Sequence, residues 1–234
     1  MRELLSHLPD PPTSREPAHA PADLNTRPAP REVRAGCVDL VAFYEAMATL
    51  WRPGSIGFDD VCMAYKDRQY ITQRPHRNIR FYALPEGSAM GAAFGLGLGA
   101  KLANPNLHTF VFSGDGCFRL FGGGLADAAR LGLRLFILNN GNYAIVETGL
   151  RIILPDVEPR RYHGRIPRID FELAALAHGW KPFRVEPDLR NLPEIMDACY
   201  SAGDRSILVD IPVDGDQDIG SNPRVYNLKH PTHL

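Results

Sequence analysis

The sequence predicts an α/β protein built on one doubly wound, mostly parallel sheet with helices on both faces. From about Glu32 to Pro212, short β-branched or aromatic runs alternate with helical stretches. Three of those runs, His108–Ser113 (HTFVFS), Leu133–Leu138 (LRLFIL) and Ser206–Ile211 (SILVDI), are almost continuously apolar. Strands of that kind are covered on both faces, as in a parallel sheet, and strand-helix-strand repeats imply right-handed crossovers.

Taken in order, the chain opens with residues 1–31, which hold seven of its 20 prolines (Pro9, Pro11, Pro12, Pro17, Pro21, Pro28 and Pro30). Proline removes backbone donors and breaks any helical pattern, so this segment reads as an extended arm, either disordered or strapped over a partner. Next comes a Gly/Ala-rich helical stretch. Within it Gly95–Ala100 (GLGLGA) superficially fits the dinucleotide pattern G-x-G-x-x-A. No clear strand immediately precedes it, and small residues there let a helix pack closely on the sheet or on another subunit. Leu125, Ala128, Ala129 and Gly132 fall at helical spacing, as do Phe171, Ala174, Ala175 and His178 behind a cap at Asp170. The folded domain is expected over residues 32–215, with residues 216–234 as a tail.

Composition narrows the function classes. The 234 residues carry 26 Lys and Arg against 27 Asp and Glu, with 44% hydrophobic and 9% aromatic residues. One or at most two globular domains follow, and a net charge of -1 excludes a broadly basic nucleic-acid binder. No apolar run reaches the roughly 18 residues of a membrane span. Residues 1–10 lack the basic start and apolar stretch of a signal peptide, so a cytoplasmic location is the expectation. Cys37, Cys62, Cys117 and Cys199 are widely spaced and form no C-x-x-C pair, which predicts reduced thiols.

In doubly wound sheets ligands bind beyond the carboxyl ends of the strands, which directs attention to the loops after Ser113 and Leu138. They read Ser113-Gly114-Asp115-Gly116-Cys117 and Asn139-Asn140-Gly141-Asn142-Tyr143. A carboxylate from Asp115, an amide oxygen from Asn140 and a backbone carbonyl near Asn142 would supply half of an octahedral shell for Mg²⁺, which prefers hard oxygen donors and shares itself with phosphates. Gly114 and Gly116 let the backbone approach an anion, and the helix start that follows offers free N–H groups. The pair reads as a metal-diphosphate site.

Gly-Asp-Gly, a helix, a strand and then Asn-Asn resembles the signature of the thiamine diphosphate enzymes in their diphosphate-binding domain, over about Gly36 to Asp214. The interval between the motifs is slightly shorter than in the family. The shortfall fits Leu131–Leu133, at the opposite end of the sheet from the site. The likeness extends to Glu86-Gly87-Ser88-Ala89-Met90-Gly91, where a similar G-x-M-G in decarboxylases and acetolactate synthases places an apolar wedge under the thiazolium ring. The resemblance implies thiamine diphosphate and Mg²⁺ as cofactors. It assigns Gly87, Ser88, Ala89, Met90, Gly114, Asp115, Gly116, Cys117, Asn140, Asn142 and Tyr143 to cofactor binding, with Asp115, Asn140 and Asn142 on the metal.

Family members bind the cofactor between two domain types, and the pyrimidine-binding (PYR-type) domain supplies the activating glutamate. The expectation is therefore that this chain is one subunit of a heterodimer or heterotetramer, with that glutamate on the partner. Glu147 follows the Asn-Asn loop close to where decarboxylases place an acid that handles a proton, one residue out of register. It reads equally as a loop carboxylate. The implied chemistry on a 2-oxo acid branches. Ala83-Leu84-Pro85, Lys101–Leu107 and Phe121–Gly124 look like the small subunit of 2-oxoacid:ferredoxin oxidoreductases, but Arg34 and Val213 stand where cluster cysteines would be needed beside Cys37 and Cys62. Gly87–Gly91, the Asn139-Asn140 loop and Val209–Asp214 look like acetolactate synthase and small decarboxylases. Electron removal needs a relay that the sequence does not show, which favours the non-oxidative branch. A non-catalytic cofactor-binding scaffold is the third reading, which intact Asp115 and Asn140 disfavour. Residues 151–168 are rich in Arg and Pro. Arg160, Arg161 or Arg165 would clamp an acidic substrate if the stretch folds over the site, and would otherwise sit in a solvated or subunit-contacting loop. His163 and His178 read as structural.

Overall fold

The computed structural model describes residues 33–62, 77–83, 89–158 and 164–217. The Pro-rich arm, Gly87, Ser88, Arg160, Arg161, His163 and all but the first two residues of the expected tail lie outside the described residues. Six strands, β1 (Ser55–Asp59), β2 (Ile79–Ala83), β3 (His108–Gly114), β4 (Leu133–Asn139), β5 (Lys181–Arg184) and β6 (Ile207–Pro212), form one sheet in the order β2-β1-β3-β4-β6-β5. Every pairing is parallel. All six carboxyl ends therefore lie along one edge of the sheet.

The apolar runs β3, β4 and β6 fill the centre because both of their faces are covered. Phe110 and Phe112, Phe136 and Leu138, and Ile207, Val209 and Ile211 point to one side. There they meet Leu40, Phe43 and Met47 of α1 (Leu40–Leu50) and Ile195, Met196 and Cys199 of α6 (Leu192–Ser201). Val111, Leu133, Leu135, Ile137 and Leu208 point to the other side, against Ala93 and Phe94 of α2 (Ala92–Ala103) and Phe171 and Ala175 of α5 (Phe171–Ala177). The period of two along each strand thus feeds two separate cores.

Local chemistry sets the helix starts. Asp39 accepts from the N–H groups of Val41 (2.8 Å) and Ala42 (3.3 Å), and Asp170 accepts from Leu173 N–H (3.0 Å), the cap that the sequence pointed to. The spacing over Leu125–Gly132 does not become one helix. Instead α3 (Asp115–Phe121) runs into two 3₁₀ turns, Gly122–Gly124 and Ala126–Ala128, because three successive glycines weaken a helix while Leu125 and Ala128 still anchor to the sheet. Gly132 then turns the chain into β4 at φ +67°, where a Cβ would sit 2.6 Å from the carbonyl oxygen of Gly203. This compact turn precedes β4, at the end of the sheet opposite the carboxyl edge. The structure adds β1, β2 and β5, three strands of four or five residues, two of which are the edges.

The GLGLGA stretch lies inside α2. A Cβ on Gly97 would meet Val111 Cγ2 at 2.5 Å, whereas one on Gly99 meets nothing within 4 Å. Gly97 is therefore required for helix-sheet contact and Gly99 is not. The same substitution should act with opposite sign one half-turn apart. Gly97→Ala is expected to destabilise by about 1–3 kcal/mol through overpacking. Gly99→Ala should stabilise by up to about 1 kcal/mol through helix propensity, with both changes read from urea unfolding.

Candidate functional site

From β1 the sheet grows outward to β2, and the chain then crosses back to add β3 and β4 on the other side. The strand order thus reverses between β1 and β3, and the crevice outside their carboxyl ends is where this class of sheet binds ligands. Three segments meet there: Asp60–Cys62 after β1, Gly114–Gly116 at the end of β3 and Asn139–Tyr143 at the end of β4. The parallel register, with Gly114 opposite Leu138, brings the last two side by side.

Asp115 is 4% exposed and links the two loops. Its Oδ1 accepts from Gly116 N–H (3.0 Å) and its Oδ2 from Gly141 N–H (2.7 Å). Among the described residues no Lys or Arg forms an ion pair with it. Burial pushes its carboxyl up to about 6, against the pull of those backbone N–H groups. Gly116 is needed at its position because a Cβ would stand 2.6 Å from Tyr143 Cε1, so the ring from the second loop lies directly on the first.

The Asn loop is held from three directions. Asn139 Nδ2 donates to Asp210 Oδ1 on β6 (2.9 Å), and Asp210 also pairs with Arg184 of β5. Asn140 Oδ1 accepts from Asn142 N–H (3.0 Å). Asn142 Nδ2 donates to Glu147 Oε2 (2.9 Å), one turn into α4 (Ala144–Ile153). Residues 164–167 close over the loop: Tyr143 N–H donates to the Gly164 carbonyl (2.8 Å), Ile166 N–H donates to the Gly141 carbonyl (3.0 Å), and the Arg119 guanidinium reaches the Pro167 carbonyl. This part of the Arg- and Pro-rich stretch does fold onto the Asn139–Tyr143 loop, and Arg165 pairs across from Asn142 with its side chain exposed.

Glu147 is 7% exposed and lies beneath the loop. Besides Asn142 it meets Arg151 at 3.7 Å, and a Cβ on Gly164 would stand 2.5 Å from its Cγ. That geometry makes it a holder of Asn142. Cys117 directs its thiol to the Val61 carbonyl (3.6 Å) and lies beside Asp60; burial and that carboxylate push it up to about 12. It stays protonated. Cys62 packs against Gly114, and Cys37 receives a hydrogen bond from Arg34 (3.6 Å). His178 Nδ1 hydrogen-bonds the Ala174 carbonyl of its own helix, a structural role.

Met90 is partly buried against the core that includes Cys62 and Cys117, and Ala89 precedes it in the described residues. Sequence reasoning missed Asp60, Glu147 as a partner of Asn142, and Gly164. Each acts through contacts distant in sequence, although an acidic pair at Asp59-Asp60, ending an apolar run, was a local sign.

The residues present fit a hard cation. Among the described residues no three His, Cys, Asp or Glu converge, so the available donors are one carboxylate with amide and carbonyl oxygens. Among the described residues, Asn142 Oδ1 is buried without a hydrogen-bond partner, and Asp115 carries a desolvated charge that forms no ion pair, although Arg119 acts on it electrostatically. An oxygen set of that kind is suited to Mg²⁺ shared with a diphosphate.

Comparison with known proteins agrees with this geometry. Residues 62–211 match the family model described as "Thiamine pyrophosphate enzyme, C-terminal TPP binding domain". An acetolactate synthase of Mycobacterium avium is 27% identical over 138 residues, covering 56% of this chain and 21% of that protein. That of Mycobacterium leprae is 26% identical over 136 residues, with the same coverage. A 3D-(3,5/4)-trihydroxycyclohexane-1,2-dione hydrolase of Bacillus cereus is 25% identical over 160 residues, covering 62% of this chain and 24% of that protein. The chain thus spans about a fifth to a quarter of the length of these curated relatives. No helix among the described residues is long and apolar enough to cross a membrane.

The raised carboxyl of Asp115 has a measurable signature. Its folded value lies above the unfolded one, so its contribution is fully present below about pH 4 and is lost as pH rises through about 6. In EDTA, the fall in stability across that window should be smaller in Asp115→Asn than in wild type by about 2 kcal/mol, measured by chemical unfolding at each pH.

Proposed function

The chain belongs to the thiamine pyrophosphate enzymes, as a C-terminal TPP-binding domain, and from that premise we propose a specific role. It is the thiamine diphosphate- and Mg²⁺-binding subunit of a two-subunit enzyme that acts on a 2-oxo acid by non-oxidative decarboxylation or carboligation. The observation that carries this reading is the buried carboxylate of Asp115, in no ion pair among the described residues, joined through Gly141 to the Asn140–Asn142 loop. The likeness to acetolactate synthases supports the carboligation class.

When bound, thiamine diphosphate would supply a carbon nucleophile, on loss of a ring proton, and a thiazolium ring that accepts the electron pair released with carbon dioxide. This chain's residues do the binding and orienting. Asp115, Asn140 and Asn142 would hold the cation, Gly114 and Gly116 would keep the backbone open to the diphosphate, and Tyr143 and residues 164–167 close the loop. Met90 would support the thiazolium ring. Glu147 fixes the amide of Asn142, so that its oxygen rather than its nitrogen faces away from the carboxylate.

The second subunit carries a PYR-type domain with the activating glutamate. Exposed apolar side chains on the two helices that start at the cofactor loops support a covering partner: Leu120 (66%) on α3, and Val146 (53%) and Ile153 (61%) on α4, with Leu154 beyond it.

Calorimetric titration of the full chain with thiamine diphosphate should show saturable binding in Mg²⁺ that EDTA removes. Asn140→Ala should weaken it by about a hundredfold or more, about 2.7 kcal/mol. With its PYR-type partner, carbon dioxide with an aldehyde or hydroxyketone product is expected from a panel of 2-oxo acids. Stoichiometric iron with dye reduction would instead make the chain an oxidoreductase subunit.

A further inference from the structure

One buried carboxylate takes no part in the site as assigned. Asp60 directly follows β1, at the point where the strand order reverses, and is 1% exposed. Its backbone N–H extends the sheet by donating to the Phe112 carbonyl (2.8 Å). Its Oδ1 accepts from Val61 N–H (3.0 Å) and Gly91 N–H (2.9 Å). Its Oδ2 accepts from Gly91 N–H (3.0 Å) and from the Ser113 hydroxyl (2.7 Å). Burial pushes its carboxyl up against these donors, and among the described residues no Lys or Arg forms an ion pair with it.

These contacts differ in what they hold. Ser113 is fully buried within β3 and is fixed by the ladder, opposite Ile137. Val61 is the next residue in the chain. The Cys117 thiol also bonds the carboxylate, but it has the Val61 carbonyl as a second partner. Gly91 lies 31 residues away, and it caps α2 at φ +85° with no side chain of its own to fix it. A Cβ there would also meet Phe121 Cδ1 at 3.3 Å, so Gly91 is confined on one side by that ring and tied on the other by Asp60. Its neighbour is Met90.

We propose that Asp60 is a positioning residue that clamps Gly91 to the end of β3, and so sets the height of Met90 relative to the Gly114–Gly116 loop. The inference rests on the proposed function, since it is the thiamine moiety, not the diphosphate, that Met90 would meet. Hydrogen-bond geometry carries the clamp. An asparagine can keep it, with Oδ1 facing Val61 and Gly91 and Nδ2 donating to Ser113, whose hydroxyl accepts as readily as it donates. Alanine cannot.

The test compares two probes on the full chain by calorimetry in Mg²⁺: thiamine diphosphate and inorganic pyrophosphate, which lacks the part that Met90 would touch. Asp60→Ala should weaken thiamine diphosphate by about tenfold or more while pyrophosphate stays within about twofold. Asp60→Asn should restore both to within about threefold of wild type. Ser113→Ala leaves Gly91 tied and should change neither, which keeps the proposal open to test if Asp60→Ala does not fold. Equal weakening of both probes by Asp60→Ala, no weakening of either, an Asp60→Asn variant as defective as alanine, or loss of thiamine diphosphate binding in Ser113→Ala would each overturn the clamp. A wild-type chain that binds neither probe overturns the proposed function instead, and the clamp with it.

Discussion

The charge on Asp115 is the constraint on which the rest of the site depends. A buried carboxylate costs free energy unless hydrogen bonds or a cation compensate it, and among the described residues Asp115 receives backbone N–H groups, those of Gly116 and Gly141 among them, but forms no ion pair. Folding alone leaves that charge under-compensated. A divalent cation brought by a diphosphate would complete the compensation, so the local instability and the binding function are two readings of one arrangement. Other parts of the sheet edge serve the same end: Asp210 and Arg184 anchor Asn139 from β6 and β5, while Glu147 anchors Asn142 from α4.

The fold makes this possible because every strand is parallel. Carboxyl ends then gather on one edge, and the reversal of strand order opens a crevice between β1 and β3. Two cores, one on each face, hold β3, β4 and β6 rigidly enough for their loops to keep a fixed geometry. The opposite edge has a different task. There Arg134 lies buried with its guanidinium on the carbonyls of Leu133, Cys199, Gly203 and Arg205, closing the end of α6 and the turn before β6.

Legibility followed locality. Strands β3, β4 and β6 were readable because burial on both faces demands an unbroken apolar run, and α5 because Asp170 caps it within four residues. The Gly114–Gly116 and Asn139–Tyr143 loops were readable because each is a contiguous motif. Strands β2 and β5 lie at the sheet edges, exposed along part of their length, and their sequences IRFYA and KPFR carry charges and a proline that hide them. Strand β1 holds a glycine at its centre. The helix expected through Leu125–Gly132 broke into 3₁₀ turns because spacing reports which residues face the core, not whether three glycines can sustain a helix. The contacts of Asp60 with Gly91, and of Gly164 with Glu147 and Tyr143, are tertiary, and no window of sequence contains both partners.

The most direct test of the metal-diphosphate assignment is a crystal structure of the full chain grown with thiamine diphosphate and Mn²⁺, with data collected at the manganese edge. The account predicts one anomalous peak at the carboxyl edge of the sheet, in contact with Asp115 and Asn140, beside the diphosphate. Density for the cofactor without such a peak, or a peak away from Asp115, would contradict it.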